Sequence, residues 1–220
     1  MPETHNPYFP IFVDLRGRTV VVVGGGAVAA RKVESLARAE ARVRVVAPWV
    51  CDEIASTPGV EVCCRPYVED DLEGAYLVVA ASNDPEVNQA VSKDAARRGV
   101  LCNVVDTPRL CSFIVPSVVE RGPIKVAIST GGLSPALSRR LRLVVGSAIG
   151  DEYVTLAKVL GAIRPIVTSQ PGSPDDHRRV FEVLIDSELL DAVRAGDRGR
   201  AEHILSAALG RPIDLREIMG

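Results

Sequence analysis

Aromatic residues are scarce at 4% of 220, and a single tryptophan, Trp49, stands among them. A surface that reads single-stranded nucleic acid interleaves aromatic platforms with cations, and this composition leaves little material for one. Charge of one sign is not in excess either. Lys and Arg total 26 against 28 Asp and Glu, a formal net of −2, so no global basic field draws a polyanion and no nucleic-acid partner is expected. No apolar run reaches the roughly 18 residues of a membrane helix. The longest, residues 19–30, holds three glycines and reads as a strand leading into a turn, so no membrane partner is expected. The opening Met1-Pro2-Glu3-Thr4-His5 lacks a basic stretch followed by an apolar one, so no leader is expected either. Five cysteines (Cys51, Cys63, Cys64, Cys102, Cys111) form no CxxC pair, which suits free thiols in a reducing, cytoplasmic setting. His5, His177 and His203 show no ligand spacing, so no metal site built by the protein is expected.

What is present is an alternation of strand and helix. Thr19–Val23 is a buried-strand run, Ala27–Ala39 is rich in helix formers, and Arg42–Val46 alternates charge with valine. Short apolar runs at Val60–Cys64, Tyr76–Ala81 and Val100–Val105, with a helix over Pro85–Arg98, continue the pattern. Repeated units of this kind predict an α/β fold, a Rossmann-type doubly wound parallel sheet over residues 1–113. After it the pattern changes. Two strands, Phe113–Val119 and Ile124–Thr130, flank a turn at Glu120-Arg121-Gly122-Pro123, and a helix runs from Pro135 to about Ile149. This makes a small α+β region over 114–149, followed by a helical domain over 150–220 that is broken by a loop at Thr168–Pro174. The tail is too small to hold a large core alone and is expected to pack on the rest or on a partner chain.

Three segments carry chemistry. Gly24-Gly25-Gly26-Ala27-Val28-Ala29 is a G-x-G-x-x-A string that follows a strand and opens a helix. Gly24 permits the tight turn, Gly26 lets backbone approach a pyrophosphate, and Ala29 allows close helix–strand packing. The acid that usually holds the ribose is missing, for Val45-Val46-Ala47-Pro48-Trp49 stands in its place. No arginine pair for a 2′-phosphate follows, which favours NAD, with Pro48 and Trp49 lining the adenosine side. Ser82-Asn83-Asp84-Pro85 caps the next helix and puts Ser82 at the cofactor edge. The second segment is Cys102-Asn103-Val104-Val105-Asp106, where a strand of the parallel run ends in an aspartate. Asp106 can accept a proton while hydride leaves a substrate, although Asp106-Thr107-Pro108 reads equally well as a turn. The third is Ser129-Thr130-Gly131-Gly132-Leu133-Ser134-Pro135. Ser134 reads as an N-cap, the glycines bare their amides, and Arg139 and Arg142 share one helix face. This suits an acidic ligand, against the plainer reading of a capped helix with a solvated basic face.

Together with Pro10-Ile11-Phe12, Arg31-Lys32, Val87-Asn88 and Phe113-Ile114-Val115-Pro116-Ser117, these segments stand in an order that resembles precorrin-2 dehydrogenase. That enzyme is the dehydrogenase and ferrochelatase part of siroheme synthase, and the likeness is dense over residues 10–145. The resemblance implies NAD-dependent oxidation of precorrin-2 to sirohydrochlorin in siroheme or cobalamin biosynthesis. In some members insertion of Fe2+ or Co2+ follows. It also implies a homodimer, with 114–149 as the dimerisation region. By motif, Asp106 matches the family's catalytic aspartate and Asn103 its companion. Ala27, Val28, Pro48 and Trp49 match NAD-contacting positions, and the absent ribose acid is a family trait. Thr130 stands where some relatives carry serine. The substrate's many carboxylates would meet the amides and cations of Thr130, Gly131, Gly132, Ser134, Arg139 and Arg142. Two other readings are a non-catalytic NAD(H)-sensing module and an NAD-dependent oxidoreductase acting on a small acid. The first usually keeps the ribose acid, and the second has no need of an extended cationic segment.

Overall fold

The computed structural model describes residues 8–219, so the N-terminal stretch with His5 lies outside the described residues. The chain divides into two compact units, one ending at Val115 and the other beginning at Pro116.

In the first unit, β1 (Thr19–Val23), β2 (Arg42–Ala47), β3 (Glu61–Cys64), β4 (Leu77–Ala80) and β5 (Leu101–Val104) form one sheet in the order β3-β2-β1-β4-β5. Every pairing is parallel, with Val20 opposite both Val43 and Leu77. The valines of β1 explain its central place. Val20 and Val22 face a cluster shared with Ala29 and Val33 of α1 (Ala27–Arg38). Val21 and Val23 face the opposite cluster, shared with Val91 and Ala95 of α3 (Pro85–Arg98). Apolar β-branched residues on both faces suit a strand covered by helices on both sides. The short α2 (Asp52–Ala55) adds Ile54 to the α1 side. The chain winds outward from β1 through β3 and then returns to β4 on the other side of β1. That switch opens a crevice at the carboxyl ends of the strands, where ligands of such sheets bind.

The carboxyl edge is stitched by backbone. Gly24 N donates to Val46 O at 3.0 Å, Cys51 N to Gly25 O at 2.8 Å, and Ala81 N to Val23 O at 2.8 Å. The approach is so close that a Cβ on Gly24 would lie 2.4 Å from the Ala81 carbonyl oxygen. A Cβ on Gly25 would lie 1.7 Å from that of Trp49.

The second unit opens with an antiparallel hairpin, β6 (Ser117–Arg121) and β7 (Ile124–Ile128), turned at Gly122 with φ 52°. Five helices follow: α4 (Pro135–Ala148), α5 (Asp151–Thr168), α6 (Pro174–Ile185), α7 (Leu189–Arg194) and α8 (Arg198–Leu209). Contrary to the expectation from its size, the tail carries a core of its own. Leu156, Val159, Ile163 and Val167 make one stripe along α5, and Leu184, Leu189, Leu205 and Leu209 of the later helices close on it. Several short helices, each giving one apolar stripe, bury side chains that none could cover singly. By contrast α4 buries only Ser138, and Leu137, Leu141, Leu143 and Val144 stay exposed. Among the described residues no helix is long and apolar enough to cross a membrane.

Gly25→Ala drives a methyl group into a backbone oxygen that cannot rotate away. Thermal unfolding followed by circular dichroism is expected to show its midpoint lowered by about 5–10 °C, the effect of overpacking by some 2–3 kcal/mol in a chain of this size. An unchanged midpoint would show that the loops give way.

Candidate active site

The glycine loop leads into α1 without a side-chain cap. Gly26 is the N-cap, with φ −89°, no side-chain hydrogen bond at the cap and no acid in the first turn. The first amides of the helix therefore meet neither a capping oxygen nor a carboxylate, which is the arrangement that receives an anion. Unlike its two neighbours, Gly26 has nothing within 4 Å of where a Cβ would stand. That open space and the uncapped amides fit a pyrophosphate. Ala27 and Val28 are exposed, while Ala29 is fully buried against the sheet. At the end of β2, Pro48 is exposed and Trp49 is 66% exposed, with no carboxylate between Ala47 and Cys51. After β4, Asn88 grips the Ser82 backbone from both sides. Its Oδ1 accepts from Ser82 N at 3.2 Å and its Nδ2 donates to Ser82 O at 2.9 Å. The Ser82 hydroxyl accepts from Asp84 N at 3.1 Å, and the Asp84 carboxylate in turn accepts from Glu86 N at 2.8 Å as the α3 cap.

Asp106 stands two residues beyond β5 with φ 56°, in the left-handed region that few side chains adopt. It is exposed, and among the described residues its carboxylate makes no hydrogen bond or ion pair. It caps nothing, so the turn reading accounts for the backbone but not for the side chain. Asn103 behaves differently. It is buried, and its Nδ2 donates to Phe113 O at 3.1 Å and to Cys111 Sγ at 3.7 Å. Its amide braces the segment after β5. Lys32, half-buried on α1, makes no hydrogen bond or ion pair among the described residues. Burial lowers the pKa of its ammonium and Arg31 lowers it further, while the negative charge of Asp106 opposes both. The sequence reading assigned no role to Lys32. Its spacing from Ala29 and Val33, on the sheet-facing stripe of α1, was the available signal.

The second group of candidate residues lies between β7 and α4. Gly131 and Gly132 are left-handed, with φ 63° and 88°. The Thr130 hydroxyl accepts from Ser134 N at 3.1 Å and lies 3.2 Å from Ser134 O and 3.1 Å from Ser138 Oγ. It is therefore occupied in shaping the helix start. Ser134 caps α4 by accepting from Leu137 N at 3.2 Å. Arg139 and Arg142 are exposed and, among the described residues, unpaired. Thus the first unit assembles the loop, Ser82, Asn103 and Asp106 on one sheet edge, and the second assembles a glycine turn with free cations.

Residues 11–117 match a family described as putative NAD(P)-binding, residues 121–142 one described as sirohaem biosynthesis protein central, and residues 152–209 one described as sirohaem synthase dimerisation region. The siroheme synthase of Thioalkalivibrio sulfidiphilus is 38% identical over 216 residues, covering 97% of this chain and 44% of its own length. That of Nitrosospira multiformis is 42% identical over 196 residues, covering 86% of this chain and 42% of its own. The chain thus spans less than half the length of these relatives. A solved structure titled SirC, precorrin-2 dehydrogenase, superposes with a TM-score of 0.76 at 26% identity, covering 91% of this chain and 98% of that one. With three matches in order along one chain and this fold in common, the chain belongs to the family of siroheme synthases and precorrin-2 dehydrogenases.

Proposed function

We propose that the chain oxidises precorrin-2 to sirohydrochlorin with NAD as hydride acceptor, and that Asp106 receives the proton. The observation that carries this reading is the Asp106 carboxylate, exposed and with no hydrogen bond or ion pair among the described residues, on the sheet edge that also bears the uncapped amides of α1. NAD, when bound, supplies the nicotinamide carbon that takes one hydrogen of the macrocycle as hydride. The chain's own residues do the rest. Amides at Gly26, Ala27 and Val28 would hold the pyrophosphate, and Pro48, Trp49 and Ser82 would border the nucleotide. Asp106 takes the second hydrogen as a proton, so the macrocycle gains a double bond. The glycine turn at Gly131 and Gly132, with Arg139 and Arg142, offers amides and charge to the substrate's carboxylates. Thr130 and Ser134 hold that turn in shape, and Asn103 holds the segment that bears Asp106.

Metal insertion is a second use of the same carboxylate. Fe2+ or Co2+ entering sirohydrochlorin displaces pyrrole protons, which Asp106 can accept. The ion is then a substrate held by the macrocycle. Among the described residues no group of three or more His, Cys, Asp and Glu is placed to hold one.

Anaerobic mixing of the protein with precorrin-2 and NAD is expected to yield the sirohydrochlorin spectrum only when NAD is present, and Co2+ added afterwards tests insertion. Asp106→Asn keeps a residue that tolerates the left-handed conformation but cannot take the proton, so kcat should fall by about 10²- to 10⁴-fold. Fluorescence of Trp49, the only tryptophan, should report unchanged NAD binding in that variant. A folded protein that binds NAD yet leaves precorrin-2 untouched would turn the reading toward an NAD(H) sensor.

We also infer a homodimer, supported by the dimerisation-region match over residues 152–209, beyond the 114–149 that the resemblance implied, and separately by the exposed Leu137, Leu141 and Val144, which lie along one side of α4. Leu137→Glu combined with Leu141→Glu is expected to shift the sedimentation coefficient from dimer to monomer. A dimer that survives both changes would exclude this stripe from the interface.

A further inference from the structure

The turn that presents Asp106 is closed by a thiol. Cys111 lies half-buried seven residues after Val104, the last residue of β5. Its sulfur accepts from Val104 N at 3.1 Å and lies 3.3 Å from Val104 O and 3.4 Å from Thr107 O, its proton shared between those two carbonyls. The Asn103 amide adds a fourth contact at 3.7 Å. These contacts grip the turn at both ends, with Val105 and Asp106 lying between the gripped residues. The residues after the turn are fixed independently. Ser112 N donates to Cys102 O at 2.8 Å, and the Ser112 hydroxyl accepts from Cys102 N at 2.8 Å. The Leu110 carbonyl accepts from the Ser92 hydroxyl of α3 at 2.8 Å. Cys111 is thus anchored from behind and holds the turn from the front.

A left-handed aspartate needs such a hold. The conformation costs free energy that surrounding contacts must offset. The bonds of the thiol do not act alone. Val105 N donates to Ala80 O at 2.9 Å and Leu110 N to Thr107 O at 3.0 Å, while Thr107 N reaches Val104 O at a long 3.3 Å and the Thr107 hydroxyl reaches Val105 O at 3.4 Å. The Asp106 side chain adds none among the described residues.

We propose that Cys111 is a positioning residue: its thiol, bonded to Val104 and Thr107, holds the turn that aims the Asp106 carboxylate. The consequence for turnover rests on the function proposed above, but the clamp itself does not. Two measurements separate them. Hydrogen exchange read by mass spectrometry over residues 104–112 should be faster by about tenfold at the Thr107 amide in Cys111→Ala, through local opening, and near the parent rate in Cys111→Ser, whose hydroxyl still donates and accepts. Displacement of a catalytic group by a fraction of an ångström should lower kcat by about tenfold in Cys111→Ala, with KM for precorrin-2 and NAD affinity unchanged, and Cys111→Ser should restore most of it. In the Asp106→Asn background the alanine change should cost nothing more in kcat, since the group it aims is already gone. A general loss of stability would act equally in both backgrounds, and that outcome overturns the proposal. Exchange unaltered in Cys111→Ala overturns it as well. Faster exchange in Cys111→Ala, alongside a parent protein that leaves precorrin-2 unchanged, would sink the dehydrogenase reading and keep the clamp.

Discussion

Two carbonyl oxygens, those of Ala81 and Trp49, lie where side chains on Gly24 and Gly25 would have to be. This contact of backbone with backbone is the constraint on which the first unit depends. It lets the turn after β1 sink between the loops that follow β2 and β4, so that α1 starts directly over the carboxyl edge of the sheet. A helix that began farther out would turn its first amides to water. Here they stay uncapped above the crevice, and the entropy lost in fixing glycines is the cost of that placement. The third glycine differs from the other two. Gly26 has open space where its Cβ would be, so protein packing does not require a glycine there, and the nucleotide approach proposed above would supply the reason.

The same edge holds a second local compromise. Good folding sequences agree with their structure at every level, and departures gather where function sits. Asp106 departs twice, by its left-handed backbone and by a carboxylate with no hydrogen bond or ion pair among the described residues. Lys32 is a third departure, a half-buried ammonium without a hydrogen bond or ion pair among those residues, whose proton is held more weakly because of burial. Elsewhere in the unit buried acids are compensated. Asp71 accepts from both terminal nitrogens of Arg65 and from Val68 N, and buried Asp94 accepts from Tyr67 and Arg97. The contrast separates charge used for stability from charge left available.

Much of this was legible in the sequence because it is local. The valines of β1, the Asp84-Pro85 and Ser134-Pro135 helix starts and the glycine string each state their structure within a few residues. The candidate site was legible to the extent that its residues sit at strand ends, as Asp106 and the glycine loop do. The rest was hidden because it depends on contacts through space. Nothing adjacent in sequence marks Cys111 as a partner of Val104, or Asn88 as the clamp on Ser82. Asn103, read as a companion in catalysis, spends its amide on Phe113 and Cys111, ten and eight residues away. The core of the tail escaped for the same reason. Its stripes belong to separate short helices, and only their packing sums to a core.

The arginines of the second unit repeat the logic of the first. Several of those on the later helices are spent on nearby acids: Arg178 on Asp175 and Glu182, Arg194 on Asp191 and Glu152, Arg200 on Glu188. Exposed pairs of this sort add little to stability, but they neutralise charge. On α4 no acid lies three or four residues from Arg139 or Arg142, so neither has a partner along its own helix. Both cations stay open to solvent beside a turn of left-handed glycines and a stripe of exposed leucines. A helix meant only for its own core would bury that stripe and pair those cations. One that serves an acidic ligand and a second copy of the chain would leave both uncovered, and α4 does.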